Sequence, residues 1–487
     1  MRLIDRTGVT RQVAGFLFAA VFLLLSYGSI LSHSFWDEDD FTYVSVAVDH
    51  DAPTYIFDRS YYVQMFPRPV THLYFWVLSV FSGPTPWPYF LANLLLYAGS
   101  AVLVLRLVEN LTGRMTVGAA AALFYLLSPC ATDNLYWVAA GATGFLSGFL
   151  VLLTADLYTR HEYASSLRVR ILALVAALLA MGSKESALSL PILLTVLDFT
   201  VDRGREGRLK RLLPFYILTG FFVLNVVMVQ LSYPDDANFT RYGLSWMIPR
   251  NLLHFVVYPL VASMPPDTGE YTVLKMVLYP LLWLSTLFLG SRDARRLVLQ
   301  GFLWIATVSL PFLPWTMGFQ GFFPGLCDIP SRYFNLPSIG AAFVMAGFVM
   351  MMRDRIGRTA SWAAACILFA ALGTGGVIWT REAVKPMQEG ASTDRCLVDA
   401  ALECWDGSGT LYIGAFGFRP QRIESYNRMY FDGNLVQCQP FPGMVRTGDR
   451  MLVGPKTSPA LYVYDGRTWR VQRTFQNCDM TTQRSGP

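Results

Sequence analysis

The residues best suited to chemistry form an acidic run directly after the first apolar block. The run consists of Asp37, Glu38, Asp39 and Asp40. Four adjacent carboxylates repel one another, so such a run at a membrane surface needs something to hold it. One interpretation is a solvated helix N-terminus, in which Asp side chains cap a helix over Thr42–Val48. The other is a general base, Asp37 or Glu38, or a divalent cation site (Mg²⁺ or Mn²⁺) formed by Asp37, Glu38 and Asp40.

A second charged group is Lys184 with Glu185, which stand between two apolar helices. Charged side chains at the edge of a membrane are costly unless they are paired or used. One interpretation is an ion pair between these two neighbours in a tight turn. The other is that Lys184 binds a phosphate group, with Glu185 in a supporting role. Asp156 and Asp198, at the inner ends of predicted spans, are interpreted as structural partners of nearby arginines.

Arg332 and Tyr333 open a third segment, Arg-Tyr-Phe-Asn-Leu-Pro-Ser, which leads into an apolar block. Arg and Tyr both suit the headgroup region, so an interfacial anchor is one interpretation. The alternative is a second phosphate-binding cation, because a guanidinium group can grip two oxygens at once. Arg68 is a third candidate cation. His72, close to Arg68 in sequence, is interpreted as a hydrogen-bonded interfacial residue in a supporting position.

The composition determines which elements must carry these side chains. Of 487 residues, 53% are hydrophobic and 15% are charged, whereas a soluble globular chain carries about 25% charged residues. The apolar residues form blocks of about twenty, the length that crosses a hydrocarbon core of about 30 Å. The net charge of +5 comes from short basic bursts between these blocks. Because no basic face is interleaved with aromatic residues, nucleic acid is excluded as a partner.

Eleven apolar blocks are predicted to span the membrane. They are Val13–Ser32, Trp87–Glu109, Met115–Cys130, Trp137–Tyr158, Ile171–Gly182, Ala187–Thr200, Leu212–Leu231, Thr272–Gly290, Leu297–Trp315, Leu336–Met352 and Thr359–Trp379. With the N-terminus inside, this threading places most Lys and Arg residues that precede the tail on the inner side, as the positive-inside rule requires. The expected location is a bacterial inner membrane, with a cytoplasmic N-terminus and a periplasmic C-terminus.

Three apolar segments need separate interpretation. Pro69–Gly83 is flanked by prolines that leave room for only about fifteen helical residues. Counting Trp246–Ser263 as a span would invert every later loop. Both segments are therefore predicted to lie in, or dip into, the outer face of the membrane. The first block, Val13–Ser32, is interpreted as a retained anchor and not as a cleaved signal peptide, because it is longer than a usual signal core.

The chain changes character after the last apolar block, which divides it into a transmembrane domain, 1–380, and a polar extracytoplasmic domain, 381–487. Strand-like runs occur at Thr410–Phe416 and Leu461–Tyr464. An Asp-Gly pair follows the second run and predicts a hairpin, since Asp-Gly readily takes the positive φ of a two-residue type I′ turn. The predicted fold class is an all-α polytopic membrane protein of about eleven transmembrane helices, plus a small C-terminal β-rich or α+β domain.

Four of the seven cysteines lie in this tail: Cys396, Cys404, Cys438 and Cys478. An even number of cysteines in a domain outside the membrane predicts two disulfides, and three pairings are open.

Four motifs occur in a familiar order: the acidic run, Phe-Pro-Arg-Pro-Val, Ser-Lys-Glu followed by Leu-Pro, and Arg-Tyr-Phe-Asn-Leu-Pro-Ser-Ile-Gly. Over residues 10–380 the chain thereby resembles polytopic glycosyltransferases of the GT-C fold, especially protein O-mannosyltransferases and TPR-containing O-mannosyltransferases. The resemblance implies inverting transfer of a sugar from a polyprenyl-phosphate-linked donor to a hydroxyl group on the extracytoplasmic face. TPR repeats do not follow the membrane part, so the acceptor, a protein or a glycan, stays open.

The resemblance also implies roles for single residues. Asp37 and Glu38 match the family's acidic pair, with Asp37 as the base, and Arg68, Lys184 and Arg332 match its basic motifs. The chemistry of transfer asks for the same residue types. The acceptor hydroxyl must lose a proton, and the departing phosphate gathers negative charge. A second carboxylate of the acidic run could stabilise positive charge on the sugar.

Two other classes of function fit the sequence. One is a transporter or flippase for a lipid-linked glycan, which needs charged residues near the bilayer midplane. The other is a membrane-anchored assembly or sensor protein that acts through its C-terminal domain. The charged residues of the chain gather at helix ends, which favours the enzyme.

Overall fold

A computed structural model describes residues 6–33, 35, 38–49, 51, 54, 56, 68–199, 207–232, 247–261, 281, 284–314, 331–357, 359, 377–378, 380–381 and the five strands below. Its helices are α1 Arg6–Tyr27, α2 Glu38–Asp49, α3 Pro69–Ser82, α4 Trp87–Thr112, α5 Met115–Leu127, α6 Thr132–Tyr136, α7 Val138–Thr159, α8 Leu167–Met181, α9 Leu190–Asp198, α10 Arg208–Ser232, α11 Met247–Val261, α12 Arg292–Ser309 and α13 Asn335–Ile356. Its strands are β1 Leu411–Ile413, β2 Leu435–Gln437, β3 Arg450–Val453, β4 Ala460–Tyr464 and β5 Trp469–Thr474.

Five helical segments are long and apolar enough to cross a membrane: Thr10–Ser32, Trp87–Thr112, Val138–Thr159, Arg208–Met228 and Asn335–Ile356. A sixth results if α5 is counted together with Pro129–Tyr136, from which it is bent by 51°. The part of the chain that the structure describes thus contains five or six such spans. The total of about eleven stays a prediction.

The bend after α5 has a local cause. The predicted span Met115–Cys130 ends as a helix at Leu127, and Ser128 is extended, with φ −72° and ψ 123°. Pro129 follows, and its ring disfavours helical geometry at the residue before it. The predicted span is therefore broken close to its end.

Two predicted spans are shorter than a membrane is thick. Ile171–Gly182 corresponds to α8, with 15 residues, and Ala187–Thr200 corresponds to α9, with 9 residues, whereas about twenty residues are needed to cross. The predicted spans Thr272–Gly290 and Thr359–Trp379 lie largely outside the described residues.

The short helices expected from the sequence are present. Pro69–Gly83 forms α3, which begins at a proline and ends before Gly83, whose φ is +55°. Trp246–Ser263 forms α11. The helix expected over Thr42–Val48 is α2, but it begins four residues earlier, at Glu38, inside the acidic run.

Helices α12 and α13 pack closely through glycine. A Cβ atom on Gly301 would lie 2.5 Å from the carbonyl oxygen of Gly340, and one on Gly340 would lie 2.5 Å from that of Gly301. Only glycine permits this approach, which is typical of helix pairs in membranes. The contact sets the position of α13 and of the segment before it, which carries Arg332.

The first residue of α13 is fixed from its other side. The side chain of Asn335 is buried, its Oδ1 accepts a hydrogen bond from the hydroxyl of Tyr125 at 2.9 Å, and its Nδ2 donates to the carbonyl of Gly144 at 2.9 Å. These bonds join the start of α13 to α5 and α7.

The C-terminal strands form one sheet in the order β2-β1-β3-β4-β5. Strand β1 is parallel to β2 and β3, whereas β3 with β4 and β4 with β5 are antiparallel. The predicted hairpin is confirmed. The prediction of a two-residue turn is wrong, because Tyr464 pairs with Trp469, so that four residues connect the strands. The four tail cysteines lie outside the described residues, and a separate domain outside the membrane stays a prediction.

Candidate active site

A small pocket lies where four segments meet, and its empty volume, open solvent included, is about 240 Å³. Its lining residues are Gly144, Lys184, Ser186, Phe312, Arg332, Tyr333, Asn335 and Leu336. They come from α7, the α8–α9 connection, the end of α12 and the start of α13. Three residues singled out in the sequence, Lys184, Arg332 and Tyr333, therefore share one cavity. We call it the cationic pocket.

The α8–α9 connection is tied to the first turn of α3. The backbone N–H of Val70 donates to the carbonyl of Gly182 at 3.0 Å. The hydroxyl of Thr71 donates to the carbonyl of Ser183 at 2.9 Å. These bonds place Arg68, just before α3, beside the two charged residues that follow Ser183.

Arg68 forms an ion pair with Glu185, with 2.9 Å between Nη2 and Oε2. Their side chains are only 18% and 9% exposed. Burial acts to raise the pKa of Glu185, but the positive charges of Arg68 and Lys184 outweigh it and hold that pKa below its usual value. The partner of Glu185 is thus a residue far away in sequence, and an ion pair between the neighbours Lys184 and Glu185 is wrong.

Lys184 is buried and has no counter-ion among the described residues. The residue is only 5% exposed. With the residues that the structure describes, its Nζ forms neither an ion pair nor a hydrogen bond, and it lies 5.5 Å from the centre of the Tyr333 ring. Burial lowers the pKa of Lys184 to about 7, Arg68 and Arg332 add to that effect, and Glu185 opposes it. An anion in the pocket would stabilise the charged amine.

Arg332 is held by aromatic rings. Its Cζ lies 4.2 Å from the centre of the Trp137 ring and 5.2 Å from that of Tyr333. Its backbone N–H donates to Oδ2 of Asp133 at 3.2 Å. Stacking uses the face of a guanidinium group, so the N–H groups at its edge remain suited to hydrogen bonds with a ligand. No carboxylate of the described residues lies within ion-pair distance of this side chain.

Asp40 caps a helix other than its own. It is fully buried, and its Oδ1 accepts the backbone N–H of Ala139 at 2.6 Å, in the first turn of α7. That turn has no side-chain cap from Trp137, the residue that precedes it. The positive end of the α7 dipole favours a carboxylate there. One oxygen of Asp40 is therefore engaged in holding α2 against α7.

Tyr43 links α2 to the Arg68–Glu185 pair. Its ring stacks on Phe75 at 4.8 Å and meets the buried His72 edge-on at 5.4 Å. Burial raises the pKa of Tyr43, Arg68 acts to lower it, and Asp39 acts to raise it. Helix α2, with Asp39, thus borders the same charged region.

These contacts do not include the base predicted from the sequence. Asp37 and the side chain of Glu38 lie outside the described residues, so the base and the divalent cation site stay predictions. Among the described side chains, no group of three or more His, Cys, Asp or Glu residues is arranged to hold a metal ion.

Several contributors to the pocket were missed from the sequence. Trp137 was read as the start of a span, although an aromatic residue at a predicted membrane interface was a signal for an arginine partner. Asn335 belongs to a quoted motif and Ser186 directly follows another, but neither residue received a role. Gly144 carries no sequence signal beyond its position in an apolar block.

A second charged region lies at the other end of α7, about 28 Å along the axis from Trp137 at 1.5 Å per residue. It contains two carboxylates, Asp156 and Asp198, both almost fully buried. Asp156 pairs with Arg160 at 2.6 Å and Arg106 at 3.1 Å, and Asp198 pairs with Arg208 at 2.6 Å and Arg211 at 3.3 Å. We call these the anchor carboxylates. Their predicted pairing with nearby arginines is confirmed.

No model of a known protein family and no curated protein sequence matches the chain. Solved structures do. ArnT from Cupriavidus metallidurans bound to undecaprenyl phosphate has a TM-score of 0.51 at 14% identity, covering 89% of this chain and 87% of that one.

Two further solved structures are similar. ArnT from the same organism in the apo state has a TM-score of 0.45 at 15% identity, covering 88% of this chain and 86% of that one. The arabinofuranosyltransferase AftD from Mycobacteria has a TM-score of 0.45 at 13% identity, covering 88% of this chain and 32% of that one. The likeness to the first structure shows the GT-C fold expected from the motifs. With the apolar helices, that fold identifies an integral membrane protein.

Proposed function

We propose that the chain is an inverting glycosyltransferase that moves a sugar from a polyprenyl-phosphate-linked donor to a hydroxyl group of a protein or glycan, on the extracytoplasmic face of the membrane. The observation that carries the proposal is that Lys184 and Arg332 line one pocket without a carboxylate partner among the described residues. Two buried or half-buried cations without counter-ions suit a negatively charged group.

A phosphate group supplies that charge. Lys184 offers a compact ammonium group, and Arg332 offers a planar fork that matches two phosphate oxygens. The shared fold supports this assignment, because ArnT was solved with undecaprenyl phosphate bound.

The lipid part of the donor also has a suitable surface. Helix α3, which begins next to Arg68, exposes a stripe of apolar side chains with helical spacing, consisting of Leu73, Val77, Val80 and Phe81. A prenyl chain or the bilayer would cover such a stripe. The donor would then lie with its phosphate in the cationic pocket and its prenyl chain along the apolar helices.

The reaction follows from these parts. The acceptor oxygen attacks the anomeric carbon, the bond from that carbon to the phosphate oxygen breaks, and the phosphate leaves with the electron pair. Asp37 takes the proton of the acceptor hydroxyl, as the sequence predicts. Lys184 and Arg332 stabilise the charge that develops on the phosphate. Attack opposite to the leaving group inverts the anomeric configuration.

Transport of a lipid-linked glycan is less well supported. A transport site needs charged groups near the membrane midplane. In α4, α7 and α13, charged residues occur only within about two turns of the C-terminal end. The charged groups of these three helices therefore lie near one helix end and not near the helix midpoint.

The test is a transfer assay with the purified full-length protein and a panel of undecaprenyl-phosphate-linked hexoses and pentoses. We expect release of undecaprenyl phosphate, and transfer to a protein or glycan acceptor with an inverted anomeric centre. Movement of intact donor across a vesicle membrane without release of undecaprenyl phosphate from any donor would support a transporter instead.

A further inference from the structure

Ser186 is a buried hydroxyl group in the wall of the cationic pocket. The residue is 3% exposed, and its Oγ has no hydrogen-bond partner among the described residues. The neighbouring serines differ. Ser183 donates to the carbonyl of Leu179 at 2.7 Å, and Ser189 donates to the carbonyl of Ser186 at 2.8 Å.

A buried hydroxyl without a partner is costly, because it has given up its hydrogen bonds to water and gained none. Such groups are rare in native proteins, and a ligand that is absent from the structure is one reason for them. Ser186 faces a cavity, so a group that enters the cavity can supply the missing bond.

The neighbours of Ser186 indicate the chemistry of that group. Lys184, two residues before it, lines the same pocket, and so does Arg332. Glu185, which lies between Lys184 and Ser186 in the sequence, pairs with Arg68 instead. The hydroxyl therefore stands beside two cations, where an oxygen of an anion is the natural hydrogen-bond acceptor.

We infer that the Ser186 hydroxyl donates a hydrogen bond to a non-bridging oxygen of the donor's phosphate group, beside Lys184 and Arg332. This inference rests on the proposed function. It adds an uncharged side chain to the residues that bind the phosphate. A hydroxyl adds a hydrogen bond without adding charge, so it strengthens the site without increasing the repulsion between the two cations.

The test is Ser186→Ala in the full-length protein, with the affinity for undecaprenyl phosphate and the Tm without ligand measured on the same samples. We expect the affinity to fall about tenfold or more, the effect of losing a hydrogen bond to a charged group. We expect the Tm without ligand to stay unchanged or rise, because an unsatisfied buried group has been removed. A hydroxyl with a structural role would lower the Tm and leave the affinity unchanged.

Ser183→Ala is the matched control, because that hydroxyl is satisfied by the carbonyl of Leu179 in the last turn of α8. It should leave the affinity unchanged. Ser186→Cys keeps the volume but donates weakly, and it replaces the Ala variant if that variant fails to fold; its affinity should fall as well.

The outcomes separate the two proposals. If the wild-type protein does not bind undecaprenyl phosphate, the proposed function fails. If the wild type binds and Ser186→Ala binds equally well, the inference about Ser186 is overturned. A loss of affinity confined to the sugar-linked donor, with undecaprenyl phosphate bound as in the wild type, would also overturn it, because the hydroxyl would then contact the sugar.

Discussion

Charged groups lie near both ends of α7, and the two groups are arranged in different ways. At one end, each anchor carboxylate is held by two arginines at 2.6–3.3 Å. At the other end, Lys184 and Arg332 line a cavity with no carboxylate of the described residues in ion-pair distance. The first arrangement satisfies its charges within the protein, whereas the second leaves cationic groups directed at an empty volume.

We expect the anchor carboxylates to contribute to stability and the cationic pocket to contribute to function. Removing a partner from a satisfied buried ion pair strands the remaining charge and destabilises the fold. Removing a cation that has no partner relieves a desolvation cost and leaves the fold intact or more stable. We therefore expect substitutions at the two ends of α7 to have opposite effects on the free energy of unfolding and on activity.

The largest expected effect is on catalysis. Lys184→Met removes the ammonium group and keeps an unbranched side chain, so sugar transfer should fall by about a hundredfold or more, the scale for losing one group that stabilises transition-state charge. The Tm without ligand should not fall, because a buried amine without a partner has been replaced by an apolar group. Transfer rates and thermal unfolding in detergent measure both quantities.

Lys210→Met is the control for this substitution, since Lys210 is exposed on α10. It should change neither transfer nor Tm. Transfer by Lys184→Met within a few-fold of the wild-type rate would remove Lys184 from the phosphate site.

The second largest expected effect is on stability, with catalysis unchanged. Asp198→Asn removes the charge that holds Arg208 and Arg211, and we expect the free energy of unfolding to fall by about 2 kcal/mol, which is less than for a fully buried pair because both arginines are partly exposed. Transfer per folded molecule should stay near the wild-type value. Asp354→Asn, which disrupts a half-exposed pair with Arg114 at 3.6 Å, is the control, and its effect should be small. An unaltered stability of Asp198→Asn would show that the anchor carboxylates do not anchor.

The third prediction tests whether Arg68 serves as the structural partner of Glu185 or as a ligand of the phosphate. Glu185→Leu alone leaves Arg68 buried without a carboxylate partner among the described residues, and the Tm should fall. Adding Arg68→Met should restore the Tm, since a buried ion pair can be replaced by apolar residues. If Arg68 serves mainly Glu185, the double variant should retain transfer within about tenfold of the wild type, or about 1.4 kcal/mol. A complete loss of transfer in the stable double variant would make Arg68 a phosphate ligand.

The smallest expected effect concerns Asp40. Asn accepts the same hydrogen bond from an N-terminal helix turn as Asp, whereas Ala does not. Asp40→Ala should therefore cost about 1 kcal/mol of stability and slow transfer by displacing α2, while Asp40→Asn should stay close to the wild type in both measurements. Loss of transfer in Asp40→Asn without loss of stability would instead give Asp40 a role in proton transfer or metal binding.

The sequence predicted the charged residues that line the cationic pocket better than it predicted ion-pair partners. Lys184 and Arg332 were found because charges are rare near apolar blocks and therefore stand out. Glu185 was paired with its neighbour in one interpretation, although its partner Arg68 lies 117 residues away. Adjacent residues on an extended segment point in different directions, and sequence does not show which distant element faces them.

The same limit applies to the fold. The helices at Trp87–Thr112 and Val138–Thr159 were predicted within a few residues, since long apolar blocks leave few alternatives. The break at Ser128 and the short α9 depend on local proline geometry and on tertiary contacts. In one interpretation the Asp residues of the acidic run capped the helix that follows them, whereas Asp40 caps α7, about a hundred residues further along the chain.

The most direct test of the phosphate site is the pH dependence of undecaprenyl phosphate binding. Without a ligand, burial lowers the pKa of Lys184 to about 7, and a bound phosphate raises it again. Above that pH the lysine must take up a proton to bind, so affinity falls as pH rises. The unfolded chain, with an ordinary lysine pKa, binds more protons over the same range, so the unfolding free energy of the empty protein rises with pH between about 7 and about 10.5.

The measurement is the Kd for undecaprenyl phosphate between about pH 7.5 and about pH 9, where the phosphate, with a second pKa of about 6, keeps its charge. We expect the wild-type affinity to fall by about tenfold or more across this range. Lys184→Arg should bind with little pH dependence, because arginine stays charged. Equal pH profiles for the wild type and Lys184→Arg would contradict the assignment of Lys184 to the phosphate.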